Sequence, residues 1–478
     1  MKRKLTLLAS LAFLATANFA SAQAPTITAN DAKIQYTGRI DYTNPLQPKY
    51  AYPSVSIKAK FNGTGIKATI HDYGTGAAGT TNYYKVFIDN VIVSEQLQIL
   101  PGEHNYDLAT NLTAADHTVE IMKITEGAAG KSSFKGFTVT GGNQSLLDVP
   151  AKANKKIEFI GDSWTCGFGN LSQYTTGNAS MVNGNFVAAN EDNYYAWGPI
   201  TARALVAEYH VTATSGRGLY RNNTGSTNNT LPKNYNNTLE DDASVAFDHN
   251  SFHPDVIVIH LGTNDMAQEE GGSQFALNDA AFTTTYINFL NSIFGYHPCT
   301  HVIICFGNSK SDSWPTWTQQ LTRLRNIANN VTGQFPNNYV STLELPFTAE
   351  KWNGQPEQDC GYGDAWHPSK CSHEEMSVKL VQKINTLNID WGNYSSCGTT
   401  VVNSNKKEDI SIYPNPAQNQ IFIANLPAGA NYKVVNQLGQ TVLEGNSNNC
   451  SIENLNAGIY SLIIISQSKI TSTSFVKM

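Results

Sequence analysis

Between residues 24 and 149 apolar and polar positions alternate in short runs. Val55, Ile57, Ala59 and Phe61 are separated by Ser56, Lys58 and Lys60, the period of a strand with one buried face. Asn62-Gly63 follows as a turn signal, and residues 66–70 resume the extended pattern. Residues 83–88, 117–124 and 134–140 read the same way. Short strands between Gly, Asn and Asp turns, with no long helical stretch, predict an N-terminal β-sandwich over 24–149.

Past residue 153 the pattern changes. Largely apolar runs at 157–160, 211–214, 256–261 and 302–306 predict fully buried strands. Helical spacing falls between them, in Ala196, Ile200 and Ala204 and again in Leu321, Leu324 and Ala328. Strands alternating with helices predict a parallel sheet covered on both faces, an α/β/α domain over 153–395. Ser372 with Glu375 predicts a capping box at its last helix, whose apolar face is Met376, Leu380, Val381 and Ile384. A polar linker is expected at 396–408. Strand-like runs at 421–424, 432–435 and 460–465 then predict a small C-terminal β-sandwich over 409–478.

The chain's start has a different grammar. Lys2-Arg3-Lys4, an apolar stretch over 5–14 and Ala20-Ser21-Ala22 predict a signal peptide over 1–22, and so an exported protein. No later run reaches the roughly 18 apolar residues of a membrane span, so a soluble mature chain is expected. A net charge of −6, from 32 basic and 38 acidic residues, supplies no basic field for a phosphate backbone, and nucleic acid is not an expected partner. With 41% hydrophobic and 10% aromatic residues, whole-chain disorder is excluded. Seven cysteines leave at least one unpaired within the chain, and export is compatible with one or two disulfides whose pairing stays open.

Four short motifs in the central domain carry candidate chemistry. Gly161-Asp162-Ser163 ends the first buried strand, at the edge where open α/β sheets bind ligands. Taken alone, Asp-Ser there is an ordinary helix cap. Ser215-Gly216-Arg217-Gly218 follows the second strand, where glycine lets a backbone N–H approach a ligand oxygen. Gly262-Thr263-Asn264-Asp265 follows the third, and the Asn264 amide can donate into the same crevice. Asp364-Ala365-Trp366-His367 precedes the last helix, and a carboxylate three residues before a histidine can bond its Nδ1–H. Each motif alone reads as a turn. Together they supply a nucleophile (Ser163), a base (His367), its orienter (Asp364) and oxyanion donors (the Gly216 amide and Asn264), the set needed for acyl transfer.

These four blocks resemble those of the SGNH (GDSL-type) hydrolases. Within that superfamily, residues 161–169, 195–210 and 215–222 resemble carbohydrate esterase family two, whose jelly-roll partner domain the N-terminal sandwich fits. The resemblance covers about residues 30–395. It implies a serine esterase that removes O-acetyl groups from plant polysaccharides such as xylan and glucomannan, with an acetylated polysaccharide or oligosaccharide as substrate and no cofactor. Some members orient the histidine without a carboxylate, which makes Asp364 the open point. A GDSL-type lipase or lysophospholipase is the alternative enzyme, and a non-catalytic polysaccharide-binding protein the alternative of another class. Ile412-Tyr413-Pro414-Asn415-Pro416, Gly458-Ile459-Tyr460 and Lys477 resemble the C-terminal sorting domain of the type IX secretion system, which implies that machinery as a partner. The competing reading of that tail is a carbohydrate-binding module.

Other patterns are weighed against this. Gly74 to Gly79 matches G-x-G-x-x-G but precedes a strand rather than a helix, so it reads as a turn. Cys360, His367, Cys371 and His373 lack the spacing of a tight zinc pair, and no metal is expected. Trp164 and Trp366 adjoin the proposed catalytic residues and are candidate sugar contacts, ahead of Trp314 and Trp317.

Overall fold

The computed structural model describes residues 25–172, 186–240, 242–271, 276–307, 320–335, 339–345, 363–365, 367–393, 410–427, 429–436, 440–466 and 469–478. The expected signal peptide and linker lie outside the described residues, as do Trp314, Trp317, Cys360, Trp366 and Cys397.

In the N-terminal unit, two antiparallel sheets of five and six strands face each other. Alternation does what the sequence pattern requires: Ile57, Ala59 and Phe61 in the strand Ser56–Gly63 point inward and are at most 1% exposed. They lie opposite Ile121, Val119 and His117 of Ala115–Lys123, so the apolar faces of the two strands coincide. Val91–Gln98 and Gly102–Ala109 are strands that the sequence reading omits, because few of their side chains face the core.

Five parallel strands form the central sheet, in the order Glu208–Ala213, Lys156–Gly161, Val256–His260, His301–Phe306, Val340–Glu344. Every residue of Val256–His260 is buried, since helices cover both faces. Phe159, Val211, Val258 and Ile303 pack toward Trp197, Met376, Leu380 and Ile384. Ile160, Ile257, Ile259 and Ile304 pack toward Phe282, Phe289, Leu324 and Ile327 on the other face. Each such side chain contributes about 1.5–3 kcal/mol by leaving water. The last helix is Lys370–Asn385, and its N-cap is Ser369 rather than Ser372. The Ser369 hydroxyl accepts the Ser372 N–H at 3.2 Å, so the helix starts immediately after Pro368.

After the first strand, the chain places its second strand on one side and its third on the other. That switch opens a crevice at the carboxyl end of Lys156–Gly161. A buried ion pair locks the sandwich to this strand: Arg39 Nη2 lies 3.0 Å from Glu158 Oε1, and the guanidinium sits 4.1 Å over the Phe247 ring. Burial opposes ionisation of Glu158, yet Arg39 holds its carboxyl down to about 2.

The C-terminal unit pairs a three-stranded with a four-stranded antiparallel sheet around Ile421, Ile423, Val434 and Leu462. It touches the hydrolase unit at the end of the helix Trp197–Leu205, where Ser474 Oγ donates to the Ala204 carbonyl at 2.7 Å. Cys299 and Cys371 each belong to a disulfide, whereas Cys166, Cys305 and Cys450 are free. No helix among the described residues is long and apolar enough to cross a membrane.

Candidate active site

Strand Lys156–Gly161 runs directly into a one-turn helix, Ser163–Cys166. Asp162 caps it, its Oδ1 accepting the Trp164 N–H at 3.1 Å. Its Oδ2 accepts Asn264 Nδ2–H at 3.1 Å, which ties the first strand's loop to the third strand's. Ser163 is therefore the first residue of a helix whose cap is fixed from two sides.

His367 arrives on a turn held by its own backbone. The Gly363 N–H donates to the His367 carbonyl at 2.7 Å, and the His367 N–H to the Asp364 carbonyl at 2.9 Å. The Asp364 N–H bonds Gly169 O at 3.0 Å, at a glycine with φ of +63° where a Cβ would lie 2.4 Å from Asp364 Cβ. Only a residue without a side chain fits there. The turn brings His367 Nε2 to 2.7 Å from Ser163 Oγ.

The partners of Nδ1 are main-chain atoms, the carbonyl oxygens of Ala365 at 2.9 Å and Asp364 at 3.1 Å. Sequence spacing assigned that orienting role to the Asp364 carboxylate, but the backbone carbonyls hold the ring here. A carbonyl oxygen only accepts, so Nδ1 carries the proton and Nε2 presents its lone pair to the Ser163 hydroxyl. Burial lowers the His367 pKa, against the opposing charges of Asp162 and Asp364. The imidazole is thus neutral near pH 7 and able to take a proton.

Among the described residues the Ser163 and Gly216 amides find no acceptor, and Gly216 has a φ of +77°. The Asn264 amide differs from its expected state. Both its N–H bonds are engaged, with Asp162 Oδ2 and with Arg217 O at 2.9 Å, so donating to a substrate oxygen requires releasing one. Asp265 has a role that the sequence did not reveal. It accepts the N–H groups of Leu219, Tyr220 and Arg221 at 2.8, 2.7 and 2.8 Å and so holds the segment after Gly216. Its burial pushes the carboxyl up to about 6, against those three donors.

A cavity of about 480 Å³ opens here, lined among others by Ser163, Phe168, Phe186, Gly216, Asn264 and His367. Trp164 is not a surface contact. It is 2% exposed and stacks on His260 at 5.0 Å, behind the serine. The aromatic wall is instead Phe168, whose ring lies 4.3 Å from His367 and 5.2 Å from Phe186. The signal for Phe168 was its place in the Ser163 block. Phe186 had none. His373 accepts the Trp197 N–H at 3.3 Å on Nδ1, which gives it a packing role at the start of a helix.

Residues 36–150 match the family described as Carbohydrate esterase 2 N-terminal. Residues 157–380 match GDSL-like Lipase/Acylhydrolase, and residues 411–478 match Secretion system C-terminal sorting domain. The cellulase/esterase CelE of Acetivibrio thermocellus is 30% identical over 353 residues, 73% of this chain, which spans 39% of that relative's length. An acetylxylan esterase / glucomannan deacetylase of Cellvibrio japonicus is 27% identical over 378 residues, 77% of this chain and 92% of its own length. A solved family two carbohydrate esterase from Clostridium thermocellum, in complex with cellohexaose, aligns with a TM-score of 0.62 at 28% identity, covering 74% of this chain and 98% of that one. The residues that match the GDSL-like Lipase/Acylhydrolase model thus include Ser163, Gly216, Asn264 and His367. Together with the sandwich before them, these residues share the fold of that solved family two carbohydrate esterase. The third unit is a secretion sorting domain, which implies export.

Proposed function

We propose that the protein is a secreted serine esterase that removes O-acetyl groups from plant cell-wall polysaccharides such as xylan and glucomannan. The observation that carries this reading is the 2.7 Å contact between Ser163 Oγ and His367 Nε2, made by a ring whose Nδ1 is already committed to carbonyls. As His367 Nε2 takes its proton, Ser163 Oγ attacks the acetyl carbonyl carbon. The resulting oxyanion receives the Ser163 and Gly216 N–H groups, and Asn264 is a third donor if it releases the Arg217 carbonyl. His367 then gives the proton to the departing sugar oxygen, leaving an acetyl ester on Ser163. Water, activated by the same nitrogen, attacks that ester and releases acetate.

Asp162 and Asp364 stabilise the imidazolium by charge, while the two carbonyls hold its orientation, so the catalytic unit is a Ser–His pair. Trp366, beside His367 in the chain, is a candidate sugar contact. A signal peptide opens the export route, and the sorting domain serves as the address read by the type IX machinery.

Acetate release from acetylated xylan, acetylated glucomannan and mono-acetyl sugars tests this reading. Release from one or more of them is expected. Turnover of long-chain acyl esters without acetate release from any carbohydrate would place the protein with the lipases. Carbohydrate binding without turnover of any ester would make it a binding protein.

A further inference from the structure

Glu126 follows the sandwich strand Ala115–Lys123 and is fully buried. Its Oε2 accepts the Ser215 N–H at 2.6 Å, across the boundary between sandwich and hydrolase unit. The Cys166 thiol points at the same oxygen from 3.7 Å. Ser215 immediately precedes Gly216, and Cys166 closes the one-turn helix that Ser163 begins. One carboxylate oxygen of the sandwich therefore meets both segments that carry the unpaired amides.

That carboxylate is itself held in place. The Glu126 N–H donates to Glu191 Oε1 at 2.5 Å. Burial and the charge of Glu126 push the Glu191 carboxyl well above the ordinary carboxylate range, so Glu191 holds the proton. Lys123 Nζ donates to the Thr125 and Glu126 carbonyls at 2.5 and 2.9 Å and balances the remaining charge. Glu126 Oε2 thus accepts in a dry setting, where a hydrogen bond is electrostatically stronger than in water.

We infer that Glu126 is a positioning residue for the esterase reaction: its bond to the Ser215 N–H fixes the next amide, that of Gly216, where the oxyanion forms. The inference rests on the esterase reading above. Ser215 N–H and Gly216 N–H are successive groups of one turn, so freeing the first lets the second move. Displacements near 1 Å at such a donor cost about 10²-fold in rate. The sandwich then forms part of the active-site scaffold, whether or not it grips substrate.

The test uses the full chain and an acetyl ester, with Glu126→Ala, Glu126→Gln and Ser163→Ala measured side by side. Glu126→Ala should lower kcat by about 10- to 100-fold with KM changed less than about twofold, since the lost contact acts on the transition state. Glu126→Gln should recover most of kcat, because its amide oxygen still accepts from Ser215. If Glu126→Ala fails to fold, Glu126→Asp takes its place. It keeps the charge but withdraws the acceptor by one methylene, and the same fall in kcat at constant KM is expected. Wild-type kcat in the folded Ala or Asp variant, with Ser163→Ala inactive, would overturn the inference alone. Activity persisting in Ser163→Ala would instead overturn the esterase reading.

Discussion

The loops that bring Ser163 and His367 together are built in opposite ways. On the serine side, side chains do the holding: Asp162 caps the helix, Asn264 bonds Asp162, and Trp164 stacks on His260. On the histidine side, main chain does it: backbone bonds among Gly363, Asp364 and His367 close the turn, the Asp364 N–H docks on Gly169, and two carbonyls orient the ring. A loop held by side chains can be dismantled by replacing them. One held by its backbone tolerates side-chain replacement so long as the turn survives. The two carboxylates, Asp162 and Asp364, should therefore respond very differently to mutation, although both are buried beside the same imidazole.

The largest effects come from the reacting groups, which the contrast does not separate. Ser163→Ala and His367→Ala should each cut kcat by roughly three or more powers of ten with the fold retained, as steady-state kinetics and thermal melts would record. Next comes Asp162→Ala. It removes the cap and the Asn264 anchor together, so kcat should fall by about 10²-fold and stability by about 1–3 kcal/mol in urea titrations. A loss under threefold in kcat would mean that side chains do not hold the serine loop.

Asp364→Asn should cost about tenfold or less, because only charge is lost and the carbonyls keep the ring oriented. Both carboxylates raise the His367 pKa against the larger lowering by burial. Removing Asp364 therefore lowers that pKa further, and the acidic limb of the pH–rate profile should move to lower pH. A loss of several orders of magnitude would restore a carboxylate-dependent triad. The smallest effect belongs to truncation after residue 393. Acetyl-ester kcat should stay within about twofold, since no proposed catalytic residue lies beyond His367, while secretion from the native host should fail. Normal secretion of the truncated chain would revive the carbohydrate-binding reading of the tail.

The same contrast explains what could be read from sequence. Buried strands such as Val256–His260 announce themselves because both faces are apolar, whereas the edge strand Val340–Glu344 carries Ser, Thr and Glu and does not. The helix Asp279–Tyr296 is not legible in the sequence although Phe282, Tyr286, Phe289 and Ile293 line its buried face, since its threonines and aromatics are weak helix formers. Site residues announced themselves by motif, and the resemblance supplied the roles expected for them. Spacing could not tell the Asp364 carboxylate from the Asp364 carbonyl, because both lie three residues from His367. Nor could adjacency to Ser163 tell a cleft-lining Trp164 from one buried behind the serine. Glu126 had no motif at all, as its partner Ser215 is brought to it only by the packing of two domains.

Every step of the proposed reaction depends on Ser163 being the activated nucleophile. A serine-directed fluorophosphonate, followed by peptide mass spectrometry and residual activity on acetylated glucomannan, tests this most directly. The expected result is one label on the peptide carrying Ser163, activity lost in proportion to labelling, no label in Ser163→Ala and slow labelling in His367→Ala. Full deacetylation by protein whose Ser163 is completely labelled, or by Ser163→Ala, would contradict it.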